Sequence, residues 1–290
     1  MRILVFGAGV LGSQLAVRLH EAGRDVVLLA RGERLAALRR HGVRLTEDDG
    51  PAVRAVPVPV VDHPGGDYDL TVVLVRAHQV DAVLESLAPT GGDVLFMLNW
   101  AAGPGPLGAA LGHERVLLGF GAFGGTMDGD VVRARRAGAV TRRVPIPVGE
   151  PGGRSTPRLE RIIRTFRSAG INARHEPRAA AWLTTHAAFE VPLGRAVHAA
   201  GGPVALAADP AAVRSMIRDI RRSLAALPGP PVPRAFDALH TVPEALLVPA
   251  FRAFLRSRTA VHSGLSDTSP SAAAEYDRLA DQLRAVGLPG

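Results

Sequence analysis

The chain has 290 residues, 47% of them hydrophobic, a formal net charge of +7 and no cysteine, which excludes disulfides and thiol chemistry. All 34 basic residues are arginine, so no reaction step can use a lysine amine. The arginines are scattered and only 4% of residues are aromatic, so we expect no nucleic-acid partner. No apolar run reaches the roughly 18 residues of a transmembrane helix and no signal-peptide layout precedes Ile3, so we expect a cytoplasmic protein without membrane association.

The first 31 residues predict a complete βαβ unit. The apolar run at 3–6 has the length of a buried parallel strand, leucines at helical spacing from Leu11 to Leu19 mark a helix face, and a second apolar run at 26–29 marks another strand. Three glycines separate the first strand from the helix at the spacing G-x-G-x-x-G: Gly7, Gly9 and Gly12. Inside a βαβ unit this motif predicts a dinucleotide-binding site.

Each glycine of the motif has its own predicted role. Gly7 permits the tight turn, Gly9 lets a pyrophosphate approach the backbone, and Gly12 lets the helix pack closely on the strand. The helix begins at Val10 and Leu11, where free N–H groups and the positive end of the helix dipole favour phosphate binding.

The end of the second strand indicates which dinucleotide binds. NAD sites usually place Asp or Glu there to accept a hydrogen bond from the ribose 2′-hydroxyl, but this strand ends at Arg31, whose guanidinium suits a 2′-phosphate. We therefore predict NADP as the cofactor. In the alternative interpretation Arg31 is a solvated loop residue and Glu33 takes the role of the acid.

Polar side chains also follow the next two predicted strands, at 70–75 and 93–98. Arg76 and Gln79 come after the first of these strands, and Asn99 follows the second. Ligands of open α/β sheets bind beyond the carboxyl ends of the strands, so we expect these three residues to join the cofactor site. Taken singly, each is equally an ordinary polar loop residue.

Other segments of the first half predict shorter elements. The alternating segment 43–61 predicts an excursion at the edge of the sheet, 116–120 predicts another strand, and 131–148 predicts hairpin strands with basic faces. The segment 158–169 is a clearly amphipathic helix.

From about residue 172 the pattern becomes all-helical, with a long apolar helix at 179–200 that Pro192 interrupts. We predict an α/β fold: an N-terminal Rossmann-type doubly wound sheet in residues 1–172, which binds NADP, followed by an all-helical C-terminal domain in residues 173–290 for substrate binding and dimerisation.

These residues resemble the ketopantoate reductase (2-dehydropantoate 2-reductase) family over nearly the whole chain. In this resemblance Arg31 stands where the family selects NADP, the segment 75–80 is similar to the family's Lys-Ala-x-Gln segment with Arg76 in place of the cofactor-binding lysine, and Asn99 matches an asparagine after the following strand. The resemblance implies a helical domain like the C-terminal domain of 6-phosphogluconate dehydrogenase.

The second half resembles the family less closely. Ser263–Asp267 and Glu275–Asp277 match the family's Ser-x-x-Leu-x-Asp and Glu-x-Asp segments, which implies that Ser263 binds a substrate hydroxyl or carboxylate and that Glu275 is the acidic partner in the site. The place of the family's catalytic lysine, two residues after a tryptophan, falls on Thr184, or on Leu183 if Pro192 sets the register.

A titratable group near the lost lysine is His186, which we take as a candidate proton donor. It is at least equally a structural histidine of the helix. Glu190, one turn later, either orients His186 or is solvated.

The resemblance implies an NADP-dependent oxidoreductase of pantothenate biosynthesis that transfers a hydride from NADPH to a 2-keto acid similar to ketopantoate. It also suggests a homodimer, a small-molecule keto acid as the partner, and no metal. The alternative is a non-catalytic NADP-binding or redox-sensing protein derived from the reductase, because the cofactor half follows the family's pattern more closely than the helical half.

Overall fold

The computed structural model describes residues 1–47, 50, 52–121, 124–135 and 144–290. It consists of two compact units. The first combines Met1–Leu98 with Pro104–Ala179, and the second combines Asn99–Gly103 with Ala180–Gly290. The domain boundary predicted between residues 172 and 173 stays a prediction. Within the described ranges no helix is both long enough and apolar enough to cross a membrane.

The strands of the first unit, over its described residues, are β1 (Ile3–Phe6), β2 (Val26–Leu29), β3 (Val43–Glu47), β4 (Arg54–Val56), β5 (Val60–Val61), β6 (Leu70–Val73), β7 (Asp93–Met97), β8 (Val116–Gly119), β9 (Gly125–Asp128), β10 (Val131–Ala134), β11 (Ile146–Gly149) and β12 (Ala173–His175). Eight of them form the main sheet in the order β12-β11-β8-β7-β6-β1-β2-β5. From β8 to β5 all neighbours are parallel, while β11 runs antiparallel to β8.

The described helices are α1 (Val10–Glu21), α2 (Gly32–His41), α3 (Val80–Leu87), α4 (Gly105–Leu111), α5 (Pro157–Ser168), α6 (Ala179–Ala200), α7 (Pro203–Ala208), α8 (Pro210–Ala225), α9 (Ala238–Thr241), α10 (Glu244–Arg256), α11 (Arg258–Val261) and α12 (Pro270–Ala285). Strands β1, β2 and β6 are buried along their whole length, as expected for parallel strands.

The two segments predicted as an edge excursion and a hairpin are arranged differently in the structure. β3 and β4 belong to a second sheet of order β4-β3-β10-β9, and only β5 extends the edge of the main sheet. β10 pairs antiparallel with β9 and parallel with β3, whereas β11 joins the main sheet, so 131–148 is not one hairpin. Residues 136–143 of that prediction lie outside the described residues. The parallel pairing of β3 with β10 is a long-range contact, which local alternation cannot specify.

The helical half departs from the sequence prediction at two places. α6 continues through Pro192, so the predicted interruption is wrong. A proline removes one hydrogen bond from a helix, but Leu193 and Val197, just beyond it, are buried in the core of the second unit and hold the helix in place. β12, just after residue 172, extends the main sheet where only helices are predicted.

The contact between α1 and β1 depends on Gly12. A Cβ atom at this position would lie 1.8 Å from the carbonyl oxygen of Gly7, a separation that no structure tolerates without moving the backbone. Gly12 therefore lets the first turn of α1 pack directly on the end of β1, as its place in the motif predicts.

We expect Gly12→Ala to destabilise the chain by about 1–3 kcal/mol, because overpacking against a backbone carbonyl forces α1 away from β1. Gly9→Ala is the matched control, since a Cβ there meets nothing within 4 Å. Chemical denaturation of both variants measures the difference. Equal free energies of unfolding for the two variants would contradict this explanation.

Candidate active site

The turn between β1 and α1 has an open face at the start of the helix. Gly7 has a φ of +117°, and a Cβ there would lie 2.4 Å from the carbonyl oxygen of Leu74, so this position requires glycine. Gly9 is the N-cap of α1, no side chain caps the helix, and its first turn carries no acidic residue. The space in front of Gly9 is open, so a phosphate can approach the unsatisfied N–H groups of this turn.

An arginine that the sequence analysis missed fixes the conformation of this turn. Arg34, on α2, donates hydrogen bonds to the carbonyl oxygens of Ala8 (3.0 Å) and Asp130 (2.8 Å) and to Oγ of Ser13 (3.1 Å). Burial lowers the pKa of its guanidinium, although Asp130 opposes that shift. Nothing in the hydrophobic pattern marks Arg34, because α2 reads as a surface helix.

Strand register brings the other predicted cofactor residues to the same edge of the sheet. Phe6 stands opposite Leu29 of β2 and Val73 of β6, so the chain leaves all three strands at one end. The Arg31 guanidinium lies 5.7 Å from the centroid of the Phe6 ring, and its Nη2 donates to Oγ of Ser86 (3.2 Å). A cation thus stands beside the strand that leads into the glycine turn.

Gln79 has a local role at the end of β6. Its Oε1 accepts a hydrogen bond from the backbone N–H of Arg76 (3.0 Å), which closes the short 3-10 turn at Ala77–Gln79. This bond fixes the backbone conformation just after β6 and so the position of the Arg76 Cα atom.

Asn99 belongs to the second unit, where it is brought together with Glu275 of α12. Its Nδ2 donates to Oε1 of Glu275 (3.4 Å). Its Oδ1 is buried and has no hydrogen-bond partner among the described residues. Two residues later, the backbone N–H of Ala101 donates to Oε1 of Gln282 (2.8 Å), so α12 is fastened to this loop at two points.

One face of α6 carries His186, Glu190 and Gly194 on successive turns, and α12 packs against it. At Gly194 a Cβ would lie 2.1 Å from Cζ of Tyr276, so the tyrosine ring occupies the space of a side chain. One residue on, Arg195 pairs with Asp277 at 3.1 Å. Glu275 directly precedes Tyr276 on α12.

Glu190 is partly buried on this face. Burial raises the pKa of its carboxyl to about 7, and the negative charge of Glu275 adds to the shift. A carboxyl of this kind exists in both protonation states near neutral pH. The position of Glu190 one turn after His186 was visible in the sequence, but its burial was not.

Burial shifts the pKa of His186 in the opposite direction from that of Glu190. Burial lowers the pKa of its imidazole to about 4, so the ring is neutral at neutral pH. It stacks on Trp182 with the ring centroids 5.2 Å apart and the planes 12° from parallel. Its assignment as a proton donor stays a prediction, and a neutral imidazole is a weaker acid than that assignment needs.

The hydroxyls of Ser263 and Thr184 have local hydrogen bonds. Ser263 Oγ donates to the carbonyl of Ala260 (2.9 Å) and accepts from the N–H of Leu265 (3.3 Å), which caps a short 3-10 turn. Thr184 Oγ1 donates to the carbonyl of Ala180 (3.1 Å). Thr184 therefore supplies no acidic proton in place of the lost lysine, and the substrate role of Ser263 stays a prediction.

A family model matches the N-terminal part of the chain. The family model described as "Ketopantoate reductase PanE/ApbA" matches residues 3–142, which include the glycine turn, Arg31, Arg76 and Asn99. Over this part, just under half of its length, the chain is similar to the ketopantoate reductase family. The chain departs from the resemblance where a lysine is expected, since it contains no lysine at all.

A curated relative, the 2-dehydropantoate 2-reductase of Mesorhizobium japonicum, is 29% identical over 212 residues. The match covers 63% of each chain, so the chain spans less than two thirds of the length of that relative.

Two solved structures are similar over nearly the whole chain. A complex of D-mandelate dehydrogenase with NADH has a TM-score of 0.73 at 14% identity and covers 99% of this chain and 93% of its own. A ketopantoate reductase from Staphylococcus aureus, described as dimeric, has a TM-score of 0.69 at 13% identity with the same coverage. These likenesses confirm the predicted fold class, a Rossmann-type sheet followed by a helical part.

We expect Glu190→Gln to change how stability depends on pH. Because the folded pKa of Glu190 is raised from 4.5 to about 7, its stabilising contribution is complete below the unfolded pKa and is lost as pH rises through about 7. Gln cannot ionise, so the free energy of unfolding of the variant minus that of the wild type should increase by up to about 3 kcal/mol between about pH 5 and about pH 8.

Denaturant unfolding at each pH measures this difference, and the contribution of His186, which has the opposite sign, cancels in it. Glu160→Gln, at an exposed position on α5, is the control and should show no such trend. A pH-independent difference for Glu190→Gln would show that Glu190 titrates normally.

Proposed function

We propose that the chain is an NADP-dependent oxidoreductase that reduces the carbonyl group of a 2-keto acid, ketopantoate or a close relative, to a hydroxyl group. The observation that carries this proposal is the open, uncapped start of α1 at Gly9, together with the Arg31 cation beside Phe6 at the end of β1. The match of residues 3–142 to the ketopantoate reductase family model supports the same conclusion.

The residues of the first unit fit a phosphorylated dinucleotide. The N–H groups at the start of α1, from Val10 to Gly12, are suited to the pyrophosphate. Arg31 is exposed at the carboxyl end of β2, where it is suited to a ribose 2′-phosphate, and Arg76 adds a second cation at that edge. When bound, NADPH supplies the hydride for the carbonyl carbon.

The residues of the second unit suit a small polar substrate. Glu275 and Asn99 together present a carboxylate and an amide, and the buried Oδ1 of Asn99 is an acceptor that a substrate hydroxyl can satisfy. We assign substrate binding to Glu275 and Ser263 and keep His186 as a candidate for proton transfer.

The relatives support the nicotinamide cofactor and a dimer. The D-mandelate dehydrogenase structure contains NADH, and the Staphylococcus aureus reductase is described as dimeric. We propose that this chain likewise binds a nicotinamide dinucleotide and forms a homodimer. The choice of NADP over NAD rests on Arg31 and on the lack of an acid at the end of β2.

We expect Arg31→Ala to weaken NADPH binding by about 10- to 100-fold and to leave NADH binding within about twofold, because the variant loses a charge-assisted contact that only the 2′-phosphate makes. Isothermal calorimetry with both reduced cofactors measures the two effects. Arg40→Ala, at an exposed position on α2, is the matched control. Equal losses for NADPH and NADH would remove the 2′-phosphate assignment.

We expect the purified chain to oxidise NADPH when given ketopantoate or another member of a 2-keto acid panel, and Glu275→Ala to lower kcat/KM by about 100-fold or more. Asp281→Ala, at an exposed position on the same helix, should keep the wild-type rate. Tight NADPH binding without turnover on any keto acid would refute the reductase and favour a cofactor-sensing protein.

A further inference from the structure

We infer that Arg34 and Ser13 are positioning residues of the proposed cofactor site. They hold the carbonyl group of Ala8 in a direction that leaves the N–H group of Gly9 available to the diphosphate of a dinucleotide. This inference rests on the cofactor proposed above and adds two residues that the family resemblance does not supply. All of these residues belong to the first unit.

The carbonyl oxygen of Ala8 accepts hydrogen bonds from two side chains. One comes from Nε of Arg34 (3.0 Å) and the other from Oγ of Ser13 (3.2 Å). Nη2 of Arg34 also donates to Oγ of Ser13 (3.1 Å), so the three groups form a closed ring of hydrogen bonds. Ser13 is fully buried and Arg34 is half-buried. The ring therefore fixes the direction of this carbonyl.

The direction of the Ala8 carbonyl determines the direction of the next N–H group. The peptide bond between Ala8 and Gly9 is trans, and in a trans peptide the C=O and N–H bonds point in opposite directions. The N–H of Gly9 therefore points away from Arg34 and Ser13. None of the residues that the structure describes accepts a hydrogen bond from it, whereas the Gly9 carbonyl accepts from the N–H of Ser13 (3.0 Å).

The surroundings of Gly9 allow an anion to reach this N–H group. Gly9 is exposed, and a Cβ atom there would meet nothing within 4 Å. The N–H groups of the first turn of α1 follow directly and have no acceptor within the helix. If the peptide group turned over, the oxygen of Ala8 would face the anion and repel it. Arg34 and Ser13 oppose this reversal, because it would break both of their bonds to Ala8.

The second sheet holds Arg34 in place. Nη1 of Arg34 donates to the carbonyl of Asp130 (2.8 Å), just before β10, while the Asp130 carboxylate pairs with Arg44 at 2.8 Å. All three atoms that accept hydrogen bonds from Arg34 are uncharged. The guanidinium therefore also places a positive charge beside the turn, which favours a diphosphate.

The first test compares ligands with and without a diphosphate. Arg34→Gln should weaken NADPH and NADH alike by about 10-fold or more, unlike Arg31→Ala, which should affect NADPH alone. Adenosine 2′-phosphate has the 2′-phosphate but no diphosphate, so its Kd should stay within about twofold of the wild-type value. Calorimetry measures the three affinities. Arg40→Gln, the same change at an exposed position on α2, should bind like the wild type. Weakening of all three ligands by Arg34→Gln would indicate a general loosening and would overturn the inference.

Ser13→Ala separates orientation from charge. This variant keeps every charge and removes one of the two bonds to Ala8. It should weaken NADPH and NADH alike by about threefold or more and leave adenosine 2′-phosphate unchanged. Wild-type affinity for both dinucleotides in Ser13→Ala, with a loss in Arg34→Gln, would show that Arg34 acts through its charge and would overturn the positioning role.

The second test needs no ligand. The amide nitrogen of Gly9 belongs to the same conjugated peptide group as the Ala8 carbonyl, so its NMR shift responds to the hydrogen bonds at that oxygen. With the chain labelled by ¹⁵N, the Gly9 signal should move in Arg34→Gln and in Ser13→Ala and stay in place in Arg40→Gln. The remaining signals report whether each variant is folded, and Ser13→Ala decides the test if Arg34→Gln is not. An unmoved Gly9 signal in the folded variants would overturn the inference.

These outcomes separate the two proposals. If the wild type binds NADPH or NADH and both variants bind it equally tightly, the positioning role is refuted and the cofactor proposal stands. If the wild type binds neither dinucleotide, the cofactor proposal fails and the positioning role fails with it.

Discussion

The close approach of α1 to β1 is the constraint on which the first unit depends. With only 1.8 Å between a hypothetical Cβ at Gly12 and the Gly7 carbonyl, the helix begins directly above the end of its strand. The same geometry leaves the space at Gly9 open and points the helix N-terminus into it. The close packing of α1 on β1 and the proposed phosphate binding therefore depend on the same geometry, and a change that moves α1 away from β1 would also displace the proposed phosphate site.

Arg34 links the glycine turn to the second sheet. Its guanidinium joins the Ala8 carbonyl of the glycine turn to the Asp130 carbonyl that precedes β10, and Gln14 of α1 donates to the carbonyl of Gly124 before β9 (3.1 Å). These hydrogen bonds connect the second sheet to the glycine turn and to α1. A half-buried cation beside the turn also adds positive potential where an anionic ligand is proposed to bind.

The sequence predicted the parts of the fold that local patterns determine. The glycine turn and the buried parallel strands follow from spacing and short apolar runs, and the register of β1 with β2 and β6 then gathers Arg31 and Arg76 at one edge. The pairing of β3 with β10, the continuity of α6 through Pro192 and the burial of Glu190 could not be predicted. Each depends on contacts between segments far apart in sequence, where tertiary packing overrides local preference.

The ionised form of Glu190 lowers the free energy of unfolding, because its carboxyl is partly buried. A partly buried carboxyl beside another carboxylate resists ionisation, and a glutamine or an aliphatic residue would avoid this cost near and above neutral pH. Ionisable side chains in surroundings that disfavour their charge concentrate at functional sites. The tyrosine ring at Gly194 and the Arg195–Asp277 ion pair hold α12 against α6 one turn beyond this carboxyl.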